Sequence, residues 1–167
     1  MSFDLDMTAV ARVAKRVRLL EIRLVDLVMR RTADLEGGSS LSGDVKRNCK
    51  PLKWDAGVVE VSCNFHFGAT EADSQVAYID ATYLLRYGVE GEEPIADIDA
   101  KHFAFANGAY NSWPFARELF HSFSSRMGLP PFVLPVLTFT PTNAGAKAAP
   151  ALPPAAPGVA QLPEIKV

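Results

Sequence analysis

The residues of this 167-residue chain that could do chemistry are three histidines, two cysteines and a few adjacent acid and base pairs. Cys63 and His66 stand three positions apart, a spacing that could serve a zinc ion on a turn or helix. In an alternating strand, however, odd and even positions point to opposite faces, so these two side chains cannot meet one metal. His102 and His121 have no carboxylate or cysteine at ligand spacing. Arg117 and Glu118 are sequence neighbours on a helix and do not face each other, and a salt bridge to a sheet is the simpler role for either. Asp97 and Asp99 share a side only if their segment is extended. No glycine-rich phosphate loop, nucleophile elbow or paired-cysteine motif is present. The expectation is therefore a protein without catalytic residues, metal or cofactor, and not an enzyme.

Bulk properties narrow the class further. A formal net charge of −2 gives no global nucleic-acid footprint, and the length suits one domain with a real core. Basic residues do cluster early, at Arg12, Lys15, Arg16, Arg18, Arg23, Arg30 and Arg31, against only Glu21 and Asp26. Such a run reads as the solvated side of an element. Cys49 and Cys63 lack the spacing of a structural zinc site or disulfide framework, which predicts reduced thiols and a cytoplasmic protein. Asp4 and Asp6 stand where a signal peptide would be basic, and no apolar run is long enough to span a bilayer, so no membrane insertion is expected.

The elements that would have to position any site are organised around residues 111–139. Pro114 supplies a preset φ for a first turn, Asn111 and Ser112 are cap-type residues before it, and Gly128, Pro130 and Pro131 close the element. This predicts a helix from about Trp113 to Met127. Phe115, Leu119, Phe123 and Met127 recur every four residues, with Phe120 beside them, so one face is strongly aromatic and needs a large partner. Beyond the helix, Phe132, Val133, Leu134, Val136, Leu137 and Phe139 form an apolar run that must be covered by sheet, subunit or client.

Two periods compete between Thr8 and Met29. Val10, Val13, Val17, Leu20, Leu24 and Leu27 fit an amphipathic helix, yet Leu20, Ile22 and Leu24 alternate with Glu21 and Arg23 as a strand would. Thr32 to Asp44, with Gly37, Gly38 and Gly43, reads as a connection, and Lys50 to Ala56 as a short extended segment carrying Leu52 and Trp54. Val58 to Phe67 alternates cleanly, with Val59, Val61, Cys63, Phe65 and Phe67 on one face. After a turn at Gly68 to Ser74, Gln75 to Tyr87 alternates as well, so the pair predicts an antiparallel hairpin with one apolar face. Ile95 to Asn107 is weakly helical. From Pro141 to Val167 the composition shifts to Ala and Pro, which predicts a disordered or extended tail after a domain at 1–140.

In this order the chain resembles the SecB family of bacterial export chaperones. The resemblance is carried by Trp113, Pro114, Phe115, Arg117 and Glu118, which match the family's aromatic-Pro-aromatic-x-Arg-Glu helix opening, and by Gly128, Leu129, Pro130, Pro131 and Leu134 after the helix. The Arg-Met-Gly-Leu-Pro-Pro turn is similar to the SecB-like branch that includes chaperones of toxin-antitoxin modules. The resemblance implies an α+β fold, a four-stranded antiparallel sheet with a long helix, assembled as a dimer of dimers. It also resolves the N-terminal ambiguity as helix to about Arg16 and strand from Val17 to Arg30.

The resemblance further implies an ATP-independent holdase that binds unfolded polypeptides through apolar grooves in support of protein export. Leu52, Trp54, Phe132, Leu134, Leu137 and Phe139 are then the expected client-binding residues. Phe115, Leu119, Phe120, Phe123 and Met127 are the expected interface of a homotetramer. Glu71 and Asp73 stand where the family carries an acidic surface for the translocation ATPase SecA, and the family's second C-terminal helix is replaced here by the Ala/Pro tail. Two alternatives accompany this reading: an antitoxin-specific chaperone, and a module that encloses a small apolar ligand.

Overall fold

The computed structural model describes residues 5–35, 41–55, 57–130 and 133–137. In chain order the elements are helix α1 (Met7–Ala14), strands β1 (Val17–Arg31), β2 (Leu41–Asp55), β3 (Val58–Glu71) and β4 (Ser74–Val89), then helices α2 (Asp97–Phe103) and α3 (Ala109–Arg126), joined by a π-turn at Ala104–Gly108. The strands form one antiparallel sheet in the order β1-β4-β3-β2, leaving β1 and β2 as its edges. The N-terminal reading of helix then strand thus holds, with the break at Lys15 and Arg16.

The central hairpin follows directly from alternation. Val59, Val61, Cys63, Phe65 and Phe67 of β3 and Ile79, Ala81, Tyr83, Leu85 and Tyr87 of β4 are buried on one face, and Ser62, Asn64, His66, Asp80 and Thr82 lie half-buried on the other. Cys63 and His66 accordingly point apart, and His66 Nδ1 lies 3.0 Å from Asp80 Oδ1. The connecting turn is tighter than the Gly68 to Ser74 that the sequence suggested: the strands run to Glu71 and from Ser74, and only Ala72 and Asp73 join them, both with positive φ, 46° and 64°. That geometry twists with the strands and is normally given to Asn-Gly or Asp-Gly.

Further expectations need correction. The strand β2 is 15 residues long and takes in Leu41 to Asp44, which the sequence suggested was connection. Its apolar signal is faint because it is an edge: Ser42, Asp44, Lys46 and Lys50 face water, and Gly43 and Pro51 are tolerated where no second neighbour needs their side chain or N–H. The helical run also starts well before Trp113, at Asp97, so Pro114 lies inside α3 and not in its first turn. Pro114 is exposed, as is Tyr110 four residues earlier, so the carbonyl it deprives of a partner lies on the wet side.

Small residues explain why this earlier part looked weakly helical. Ala100, Ala104, Ala106, Gly108 and Ala109 are buried and let the helix backbone lie close on the sheet. A Cβ at Gly108 would come within 2.7 Å of Val61 Cγ1 and 2.9 Å of Cys63 Sγ. Ser112, read as a cap, instead donates to the Gly108 carbonyl at 2.6 Å, and Asn111 Nδ2 donates to the Tyr87 hydroxyl at 3.0 Å. At the far end Leu129 N–H bonds to Ser124 O and Gly128 N–H to Ser125 O, with Gly128 at φ 70°, a Schellman stop where the sequence placed one.

Aromatic rings fill the space between helix and sheet. Trp113 meets Phe65 with ring centroids 5.7 Å apart, Phe120 meets Phe67 at 5.8 Å, and Phe103 meets Tyr87 edge-on at 5.0 Å. Below them, Asp6 caps α1 by accepting from the N–H groups of Thr8 and Ala9, which holds its carboxyl below the ordinary range. Arg12 of α1 grips Asp99 of α2 through two hydrogen bonds of 2.7 and 2.9 Å, and this bond likewise lowers the Asp99 pKa.

Candidate functional site

The apolar surface suited to an extended ligand lies along the helix-facing side of β2. At one end a cavity of about 450 Å³ is lined by Cys49, Lys50, Pro51, Trp54, Lys101 and Phe105. At the other end a smaller one, about 240 Å³, is lined by Leu41, Gly43, Phe67, Ser124, Leu129 and Pro130. Both open between β2 and the helical run, one toward each end of the strand, as two separate openings of a furrow on this side of β2.

Its walls are held in place before any occupant arrives. Trp54 Nε1–H donates to Asp97 Oδ1 at 3.0 Å, which fastens the indole of β2 to the start of α2. The Arg47 guanidinium lies 5.2 Å from the Phe105 ring centroid, a cation–π contact, and partial burial lowers the pKa of that arginine. Cys49 and Cys63 are register partners and both are free. The Cys49 thiol is pushed up in pKa by its hydrogen bond to Cys63 and then by burial, so it behaves as packing and not as a nucleophile.

A second feature is the strap 133–137. Having turned at Gly128, the chain comes back along α3, and the Pro135 carbonyl accepts from Trp113 Nε1–H at 3.0 Å. Leu134 is buried in the core and Leu137 packs against it, whereas Val133 and Val136 are exposed at 68% and 72%. Between strap and helix, Pro114, Arg117, Glu118, His121, Val133 and Leu134 line a further shallow cavity of about 400 Å³.

The expected client-binding residues therefore separate. Trp54 lines the furrow. Leu52 is half exposed beside it, at the irregularity between Pro51 and Lys53. Leu134 serves the core and Leu137 its margin, so neither is open along the furrow. Phe132 and Phe139, like the tail from Pro141, lie outside the described residues. Sequence reasoning missed Phe105, Arg47 and Lys101; the available signal was one aromatic ring in an otherwise small stretch, Ala104-Phe105-Ala106-Asn107-Gly108.

The expected interface residues separate as well. Phe120 is fully buried against its own sheet and Leu119 is 6% exposed, so both are core of the single chain with no surface to offer a neighbour. Phe123 and Met127 are half-buried at the core's edge. Phe115 is 49% exposed and its ring lies 6.4 Å from that of Tyr83. Tyr83 in turn is the register partner of Leu24 in β1, a strand rich in open apolar groups: Leu19, Leu20, Leu24, Val25, Val28 and Met29 are all exposed. Of the acidic pair, Glu71 is turned inward and only 7% exposed, while Asp73 stays at the turn surface.

An α+β chain with one face of a four-stranded antiparallel sheet covered by a long helix, and an apolar furrow beside that helix, has the SecB-like fold. Among solved structures it is similar to the Mycobacterium tuberculosis SecB-like chaperone in complex with a ChAD peptide from the HigA1 antitoxin, with a TM-score of 0.71 and 21% identity over 78% of this chain and 98% of that one. A protein of unknown function from Streptococcus agalactiae aligns at TM-score 0.46 and 12% identity over 72% of this chain and 97% of that one, too loosely to carry an argument. No protein-family model matches the sequence, and no curated protein matches it. No helix among the described residues is long and apolar enough to cross a membrane.

Proposed function

We propose that this protein is an ATP-independent holdase that binds extended segments of unfolded polypeptide along the furrow between β2 and the helices. The observation that supports this reading is the pair of largely apolar cavities along β2, the larger walled by the pinned rings of Trp54 and Phe105, on a fold shared with a peptide-bound chaperone. A client gains about 25 cal/mol per Å² of apolar surface buried, before ordering costs, so several shallow contacts give useful affinity without a sequence code. Lys50 and Lys101 at the rim supply donors for the carbonyls of an extended backbone.

The test is to replace Trp54 and Phe105 with Ser. Suppression of client aggregation should fall to background while the sedimentation profile is unchanged. Full retention of the activity would refute the furrow as the client site.

Self-association belongs to the same proposal. Six large apolar side chains on an unpaired edge strand need cover, and a second copy meeting β1 edge to edge would supply it, with Phe115 at the margin of the contact. Two such pairs joined through their helical layers would make the dimer of dimers that the family resemblance implies.

A second, narrower reading is an antitoxin-specific chaperone, favoured by the antitoxin peptide bound to the mycobacterial neighbour. Its mark would be submicromolar binding of one antitoxin segment together with weak suppression of general aggregation. For an export role, the inward turn of Glu71 leaves Asp73 alone of the expected acidic pair at the surface.

A further inference from the structure

The chain leaves the described structure at Leu137, two residues after the Pro135 carbonyl bonded to Trp113, on a strap that runs back along α3 toward its N-terminal end. Phe105 lies eight residues further in that direction, about 12 Å at the helical rise. Beyond Leu137 the sequence contains Leu152-Pro153-Pro154-Ala155-Ala156-Pro157, inside a stretch from Ala148 to Gln161 without a charged residue. We infer that this Leu-Pro-Pro-Ala-Ala-Pro segment docks in the Trp54–Phe105 end of the furrow and competes there with polypeptide clients. The inference rests on the holdase reading for its consequence but not for the contact itself.

Three features of the chain favour this occupant. Proline-rich segments are already stiff and extended, so they lose little entropy on docking against aromatic grooves. Here both rings are themselves pinned, Trp54 by Asp97 and Phe105 by Arg47, so neither side has much order left to lose. Second, prolines carry carbonyl acceptors without N–H donors. The groove's rim is rich in donors to match, with Lys50, Lys101 and Asn48 around an apolar floor of Pro51 and Cys49.

Third, the reach is suitable. The 14 residues from Thr138 to Ala151 connect the strap to the segment. A 14-residue chain without regular structure has a root-mean-square span of roughly 20 Å, more than the rise along the helix to Phe105, which corresponds to an effective concentration on the order of millimolar. A segment of about 0.1 mM intrinsic affinity would then weaken client binding about tenfold.

The experiment uses the full chain. It has two tryptophans, so its indole N–H region shows two cross-peaks, and that of Trp54 reports the groove independently of any client. In the variant Leu152→Ser with Pro153→Gly and Pro154→Gly, the Trp54 indole resonance should move, and a synthetic peptide of residues 149–159 added in trans should move it back. Client affinity should rise about tenfold in the same variant. An unmoved Trp54 resonance would overturn docking, and a shift that depends on protein concentration would overturn docking within one chain in favour of a second copy. A shift without any change in client affinity would keep the contact and reject the furrow as the client site.

Discussion

The two edges of the sheet manage exposure in opposite ways. On β2, Asp44, Lys46, Lys50 and Lys53 face solvent and Pro51 removes a donor, devices that discourage another strand from adding on, whereas register slips occur on both edges, once on β2 and twice on β1. On β1 the apolar inner face continues past the helix as Leu19, Leu24 and Met29, with Leu20, Val25 and Val28 exposed as well. Charges do occur there, at Arg18, Glu21, Arg23, Asp26 and Arg30, but they alternate with apolar residues and do not displace them. One antiparallel sheet thus carries a charged edge beside the proposed furrow and an apolar edge at the proposed contact between copies. What distinguishes them is side-chain chemistry on positions that are equivalent in the fold.

That contrast can be broken most forcefully at β1. Leu19→Asp with Leu24→Asp puts two carboxylates where the proposed contact has no partner for them, each worth about 1–3 kcal/mol, so association should weaken by about 100-fold or more. Light scattering should then report monomers; an unchanged mass would mean that β1 is not the interface. The next largest effect is expected from the converse change, Lys46→Val with Lys50→Val, which strips the protective charges from β2. Aggregation measured by turbidity should rise severalfold at unchanged melting temperature, and equal solubility would show that the remaining charges and Pro51 suffice alone.

Smaller effects are expected at the supports of the two edges. The Arg12–Asp99 clamp holds α1 on α2, and through Asp97 the start of α2 also anchors Trp54. Because Arg12 depresses the Asp99 pKa, the clamp's contribution is complete above the ordinary carboxylate value and is lost as pH falls through the lower folded value. Arg12→Gln should therefore flatten the acid limb of stability measured by denaturant titration, while leaving association through β1 unaltered. At the β3–β4 turn, Ala72→Gly should stabilise by about 1 kcal/mol, since Ala72 holds φ 46° where glycine has no Cβ penalty. A lower unfolding midpoint would instead show that backbone entropy outweighs that strain.

Much of the architecture was legible because local patterns agreed with it. Alternation from Val58 to Tyr87 announced the hairpin and its buried face, and Gly128 with the prolines after it announced the helix stop. The helix start was misplaced because Pro114 and two cap-type residues imitate an N-terminus, while the true beginning is built from alanines that pack by being small. The furrow was half legible. Trp54 stood out as a large ring in a polar strand, but Phe105 and Arg47 become its neighbours only when the helix crosses the sheet.

The sequence by itself determined the periods, the stops and the division into apolar and polar faces, because these depend on residues a few positions apart. Tertiary structure alone decided which apolar groups are already satisfied. Phe115 and Phe120 are identical side chains five residues apart on one helix, about 140° around its axis. One is half exposed beside Tyr83 and the other is sealed against Phe67. The physical reason is that burial is a relation between segments distant in the chain: the strand that meets Phe120 is more than fifty residues away, and nothing within a helical turn records whether it will be there.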